Sequence, residues 1–478
     1  LASMKLVFAK VFEFCLPMIF RELLATRQPT AAMSLQECSN VNFKMAINGS
    51  TRDGRFLAFL VLITFVVHPL AYIAGADTSL SVYTTFAAYL LLLGYSISSG
   101  KWLVRRYEMI LICISSIGCI AGAASGIQAF GDSGFGSAVG FLLGLLSILS
   151  FAGRLNRADV FLLLYIIFLF GLAAALYAFL FQTTQWMNVL RGNLAGSNSW
   201  QYYSFFGQRN RFAACLYLSS VCGSSMFFLT RRKSFIIAVA FLTVQIAITN
   251  SRTALIATLL SILIVVCLGS KNRVLVGISI TGAAILVISL FSEVLSAQLS
   301  SFFTHYGGFD SASARTDMWT YGIGELANRG LWLFGFGTGT QNIALTPIFG
   351  VSSFHNMYVE LLFEGGVVKV GSYLVLILSS LLLAKSNTAF AEEGMVKFLY
   401  LPLLISWLAF SIFEAGATPF STTFYSFVLG VLLFVLPRCY EVNVSAEKMA
   451  TRTILPATKH GLEGRKTESV VLFHAQSK

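Results

Sequence analysis

Residues 159–181 read DVFLLLYIIFLFGLAAALYAFLF, with Arg154 and Arg157 just ahead of them and no further Lys or Arg until Arg191. After Asp159 the run carries no charge. It has the ~20 residues that an α-helix needs to cross the ~30 Å hydrocarbon core of a bilayer. Runs of the same kind recur at 56–75, 83–99, 107–127, 134–152, 211–230, 234–249, 253–269, 274–294, 364–384, 397–415 and 419–436. Together they predict an all-α polytopic membrane protein of about twelve transmembrane helices. The pair 234–249 and 253–269 is short, and only Asn250, Ser251 and Arg252 separate its members.

Composition agrees. The chain has 478 residues, 56% of them hydrophobic and 11% charged, with a mean hydropathy of +0.76. A soluble domain carries about 25% charged residues, so most of this surface does not face water. The net charge of +12 has two readings, nucleic-acid binding or basic cytoplasmic loops. No zinc spacing or nucleic-acid recognition module occurs, so the second is preferred and no nucleic-acid partner is expected. Of the eight cysteines, Cys113, Cys119, Cys215, Cys222 and Cys267 sit inside apolar runs, where they act as small hydrophobes. No spacing suggests a disulfide framework or a metal site.

Charge fixes an orientation. With the N-terminus inside, the inner segments carry Arg52 and Arg55, then Lys101, Arg105 and Arg106, then Arg154 and Arg157, then Arg231, Arg232 and Lys233, then Lys271 and Arg273, then Lys385 and Lys397, and Arg438. The short outer loops 76–82, 128–133 and 416–418 have no Lys or Arg. That is the positive-inside pattern at every turn. Three parts follow: a cytoplasmic N-terminal tail at 1–55, a transmembrane domain at 56–436, and a basic cytoplasmic tail at 437–478 that contacts the inner leaflet. In the first tail, 5–20 is apolar but interrupted by Lys10 and Glu13, which suits an interfacial helix better than a span. Met33 is a candidate start. In spans three and four, Gly118, Gly122, Gly126 and Gly136, Gly140, Gly144 recur every fourth position, a spacing that lets helix backbones pack closely.

Two outer loops are long, 182–210 and, between spans nine and ten, 295–355. Long loops on a rigid scaffold carry function. The basic residues that break the inside bias gather at this face: Arg191, Arg209, Arg211, Arg252, Arg315 and Arg329. The guanidinium fork matches phosphate, so these arginines suggest a cationic pocket for a phosphorylated lipid. His355 stands at the mouth of the tenth span, and histidine is the side chain suited to proton transfer near neutrality. The acids near the face, Glu293, Asp310, Asp317, Glu360, Glu364 and Glu414, form no spacing that demands Mg²⁺. Alternating glycines at 335–339, in Phe-Gly-Phe-Gly-Thr-Gly-Thr (334–340), let backbone approach a ligand or another chain segment. No P-loop lysine follows them.

Three blocks at this face carry a resemblance. Ser251-Arg252-Thr253-Ala254 is similar to a Ser-Arg turn. Arg315, Trp319 and the Gly335/Gly337/Gly339 run are similar to an Arg…Trp…Gly-x-Gly loop. His355-Asn356 followed by Gly366 is similar to a His-Asn-x9-Gly signature. With this order and topology, the segment from about 200 to 385 resembles the O-antigen ligase and polymerase superfamily of bacterial envelope glycan assembly. One position departs: Lys369 stands where the family often has Gly, Thr or Tyr. A lysine there reaches phosphate or snorkels to the interface.

The resemblance implies a type-C glycosyltransferase of the bacterial inner membrane. It implies no metal and no other cofactor, and an active site facing the periplasm or cell exterior. The donor would be a glycan on undecaprenyl pyrophosphate. The acceptor would be another lipid-linked repeat (O-antigen or exopolysaccharide polymerase, the preferred reading) or lipid A–core (ligase), with a chain-length regulator and a flippase as further partners. His355 would be the base, with Arg252 and Arg315 at the leaving diphosphate. Arg191, Arg209, Arg211, Asn356, Trp319, Gly337 and Gly339 would contact substrate. Two other classes stand beside this one. A secondary transporter suits twelve spans, but no repeated halves are visible and the ionisable residues gather at the rim. A non-catalytic docking partner would use the outer loops as surfaces.

Overall fold

The computed structural model describes residues 43–439 apart from 74–78, 101–103, 132–133, 191–202, 207, 250, 271–307, 388–389, 391–393, 415–417 and 422. All regular elements among them are helices. In chain order they are α1 (Phe43–Gly49), α2 (Arg52–Ile73), α3 (Ser79–Ser98), α4 (Arg106–Phe130), α5 (Phe135–Phe151), α6 (Arg157–Phe181), α7 (Thr183–Leu190), α8 (Arg209–Thr230), α9 (Ser234–Ile248), α10 (Arg252–Gly269), α11 (Gly308–Arg329), α12 (Gln341–Phe349) and α13 (Met357–Ser386). The last two are α14 (Val396–Phe410) and α15 (Tyr425–Arg438), each with a π-helical stretch.

Every segment expected to span is helical except 274–294, which lies outside the described residues, as do 1–42 and the tail from 440 onward. Among the described residues α4, α6, α8, α10 and α13 are long and apolar enough to cross a membrane. The short pair holds as two separate helices, α9 and α10. The loop 295–355 has structure of its own, α11 and α12.

Burial separates the centre from the rim. The apolar windows of α8 and α6 are 83% and 72% buried, against 39% for α4 and α13 and 28% for α10. So α6 and α8 form the axis, and α4, α10 and α13 turn apolar faces outward. Such a face is stable only in a hydrocarbon surround.

Polar contacts sort the helix ends into two groups. At one end, Asp159 accepts from the Thr51 amide (2.7 Å) and hydroxyl (2.8 Å), and Asn156 donates to the Gly49 carbonyl (3.1 Å). There too Arg154 donates to Ser99 Oγ (2.5 Å), and Arg438 pairs with buried Glu108 at 2.8 Å. Buried charges need such partners. Glu108 also caps α4 by accepting from the Arg105 amide (2.8 Å), and Asn156 and Asp159 cap α6 reciprocally. This end carries the ends of α2 to α6 and α15 that the basic segments adjoin. The opposite end holds the start of α5, the start of α13 and the end of α14.

At that opposite end α13 is broken. Gly366 adopts φ 60°, ψ −161°, outside the helical region. The break frees backbone groups, and the chain at 332–339 takes them up. Phe336 and Gly337 amides donate to the Phe363 and Glu364 carbonyls (2.8 and 2.7 Å), while Val367 and Val368 amides donate to the Trp332 and Leu333 carbonyls (2.8 and 3.2 Å). Only glycine fits at the crossing: a Cβ on Gly366 would stand 2.4 Å from Leu333 backbone, and one on Gly335 2.4 Å from the Phe363 oxygen.

The outer side of the same loop rests on α4 and α5. A Cβ on Gly122 would meet the Phe334 oxygen at 2.8 Å, and one on Gly134 the Thr338 oxygen at 1.9 Å. Part of the glycine stripe therefore packs helix against loop. Gly144 packs instead against Tyr89 and the Phe420 oxygen, and Gly136 meets nothing.

Lys369 corrects the sequence reading. It neither snorkels nor points outward. Its ammonium is buried, pairing with Glu364 Oε2 at 2.5 Å, donating to Thr338 Oγ1 at 3.0 Å and lying 4.7 Å from the Phe141 ring. The other Glu364 oxygen accepts from the Gly339 amide at 2.8 Å. The family departure thus closes an ion pair across the helix break. Breaking such a pair strands a buried charge at a cost of ~3–5 kcal/mol, whereas replacing both partners is close to neutral. Lys369→Met should therefore lower the unfolding temperature of the detergent-purified protein sharply. Lys369→Met with Glu364→Gln should recover most of the loss. Equal losses in single and double variants would refute the pairing.

Candidate active site

The site grows from a four-residue turn ahead of α13. Asn356 is the N-cap: its side-chain oxygen accepts from the Val359 amide at 3.0 Å. The residue before it, His355, has φ 51°, a left-handed conformation uncommon outside glycine. Its amide donates to Ser353 Oγ at 3.0 Å. The start of α13 is tied to the end of α14, with the Met357 amide on the Ser411 oxygen (2.9 Å) and the Tyr358 hydroxyl on the Leu408 oxygen (3.0 Å).

Trp319 pins α11 onto the same turn. Its indole N–H donates to the Phe354 carbonyl at 2.8 Å. Gly322, three residues on, leaves room for the Phe354 ring, because a Cβ there would stand 2.6 Å from it. Phe354, Phe363, Phe336 and Met318 then close a second small core between α11, α12 and α13. Arg315 lies one helical turn before Trp319 and shares its face. The pinned indole therefore carries Arg315 to His355, and the two interact electrostatically.

Two further elements converge. Arg252 opens α10 after Ser251, which is buried, and it lies within electrostatic reach of Arg315. Glu414, beyond the end of α14, also faces Arg315. Tyr425 at the start of α15 has Glu414, Arg211 and Glu360 around its hydroxyl. Residues two apart on a helix point to opposite sides. The first turn of α8 thus presents Arg211 toward Tyr425, with Arg209 on another side of the helix.

So Arg252, Arg315 and His355 come together from three elements, and Arg211 lies near Tyr425. Arg191 lies outside the described residues. Trp319 spends its described hydrogen bond on the turn that holds His355, and Asn356 spends its own on the first turn of α13. Gly337 and Gly339 give their amides to Glu364. Each of these four thus holds the backbone around the site together. Sequence reasoning missed the part of Glu414. It is an acid in an otherwise apolar stretch near the outer face, a signal visible in the chain but with no spacing to tie it to Arg315.

Electrostatics mark the cluster. Burial holds the His355 imidazole below the ordinary 6.5, and nearby Arg315 adds to the effect. Burial pushes the Glu414 carboxyl up to about 7, with Arg315 opposing. Arginines gathered beside a histidine with a lowered pKa mark a candidate functional site, and guanidinium groups suit an anionic ligand. Among the described residues no three His, Cys, Asp or Glu side chains come together as metal ligands.

Residues 237–374 match the family model described as O-antigen ligase. The chain carries a domain of the O-antigen ligase and polymerase superfamily. The matched stretch runs from α9 into α13 and includes Arg252, Arg315, Trp319, His355, Asn356 and the helix break. Arg211 and Glu414 lie outside it, so the superfamily domain meets its neighbours in sequence at the same site. A search of curated proteins finds no match. The matched stretch and the apolar helices together fit a membrane protein with a domain of O-antigen ligase type.

His355 should titrate below 6.5 in ¹³C-histidine NMR of the detergent-solubilised protein, its signal assigned by loss in His355→Gln. Arg315→Gln should move that midpoint upward, because the neighbouring cation is gone, while burial keeps it from rising further. An unmoved midpoint would mean that the two side chains do not meet.

Proposed function

We propose that the protein polymerises lipid-linked glycan repeat units at the outer face of the inner membrane. The observation that carries this reading is the convergence of Arg252, Arg315 and His355, one from each family block. Two guanidinium groups beside a half-buried imidazole suit a diphosphate seated next to a proton acceptor.

The donor is a glycan on undecaprenyl pyrophosphate. Neutral His355 takes the proton from an acceptor sugar hydroxyl as its oxygen attacks the anomeric carbon. The bond from that carbon to the diphosphate oxygen breaks, and the diphosphate leaves with the bonding electrons. Arg252 and Arg315, with Arg211 behind them, stabilise the charge that grows on it. A depressed histidine pKa keeps the base form present at neutral pH, so activity falls as pH drops through that value. The ligase reading, with lipid A–core as acceptor, has the description of the matched family in its favour. Transport is less well supported. A broken helix is also a transporter trait, but here the break is filled by the chain's own loop.

Purified protein in nanodiscs, given an undecaprenyl-pyrophosphate-linked repeat unit and a chelator, should produce a ladder of products without lipid A–core. Product only in its presence would establish the ligase. No product in either case, with substrates verified on a working enzyme, would count against glycosyl transfer. His355→Ala should slow the reaction by ~10²–10⁴-fold. Arg252→Lys should also impair it, since a point charge replaces the fork.

A further inference from the structure

At the end of the molecule away from the candidate site, α4 and α13 leave a cleft of about 520 Å³. Its surface is mostly apolar, and Arg105 and Lys385 are among the residues that line it, with Tyr107, Ser379, Leu382, Leu383 and Ser386. No acid lines it. Glu108, three residues past Arg105, accepts from the Tyr107 hydroxyl at 3.5 Å and pairs with Arg438 at 2.8 Å, so Arg438 matches its charge. The residues that line the cleft thus include two cations.

Away from the mouth, both helices expose apolar side chains. Ile110, Ile114 and Ile117 do so on α4, and Leu374, Leu378 and Leu382 on α13. These positions recur at three- and four-residue spacing, so each set forms one stripe along its helix. Two cations stand at one end of two apolar stripes. That is the chemical outline of one anionic phospholipid: a phosphodiester headgroup held at the mouth, with acyl chains lying along the stripes.

We propose that this cleft binds an anionic phospholipid of the inner leaflet, with Arg105 and Lys385 on the headgroup phosphate. The site is independent of the reaction performed at the opposite end. Its assignment to the inner leaflet follows from the basic segments at this end of the bundle. Basic pockets between helices on the cytoplasmic side suit this kind of ligand.

Native mass spectrometry of the full chain in detergent, titrated with phosphatidylglycerol and separately with phosphatidylcholine, tests it. Phosphatidylglycerol should bind the more tightly. Each cation contributes ~1 kcal/mol, so Arg105→Gln with Lys385→Gln should weaken phosphatidylglycerol ~30-fold and leave phosphatidylcholine nearly unchanged. Lys385→Gln alone changes one exposed side chain and should weaken it ~5-fold, which keeps the test available if the double variant does not fold. Equal binding of the two lipids would overturn the proposal. So would unchanged binding in folded variants, or displacement of the lipid by glycerol phosphate at equal concentration, which would indicate a site for free anions.

Discussion

Backbone amides and carbonyls inside an apolar layer have no water to bind, so a helix can break there only if another chain segment takes up the groups it frees. Here α13 breaks at Gly366 and residues 332–339 are that segment. Four backbone hydrogen bonds join the two strands of chain, and the Glu364–Lys369 pair closes over them. Much of the architecture at this end is arranged around the join. The glycines of the loop and of α4 make room for it, and Phe336 and Phe363 pack across it with ring centroids 4.7 Å apart. The loop in turn follows α11, which carries Arg315.

The join explains how groups far apart in sequence reach one place. The second core fixes α11 against the start of α13. The Trp319 indole sets the rotation of α11, and the Asn356 cap ends the turn that holds His355 left-handed. The tie from Met357 to Ser411 then brings the end of α14 alongside, and with it Glu414. Arg252 arrives separately, on the tight turn between α9 and α10. Much of the protein around the site thus acts as a frame for three cationic side chains and one acid. The cost of holding like charges close is the kind that a structure tolerates where it binds an anion.

The helices were legible in the sequence because each needs only a run of apolar residues, and such runs are local. Even the doubtful pair at 234–269 was readable from the polar Asn-Ser-Arg between its halves. The residues of the site were legible as types: Arg252, Arg315 and His355 stood out as polar groups at an apolar rim. What could not be read was who holds whom. Gly337 and Gly339 look like a ligand loop in one dimension, and only the fold supplies the broken helix that they serve. Lys369 looks like an outward cation until Glu364, five residues earlier, is placed beside it across a break that no periodicity announces. Glu414 has no sequence neighbour to identify it, since Arg315, the cation that acts on it, lies on a different helix.

The most direct test is a cryo-EM structure of the protein with undecaprenyl pyrophosphate bound. The account places the two phosphates between Arg252 and Arg315, with the His355 imidazole facing the phosphate oxygen that would carry the sugar. Phosphates found elsewhere, whether in mid-bundle or at the opposite end, would contradict a transfer site built from these three blocks.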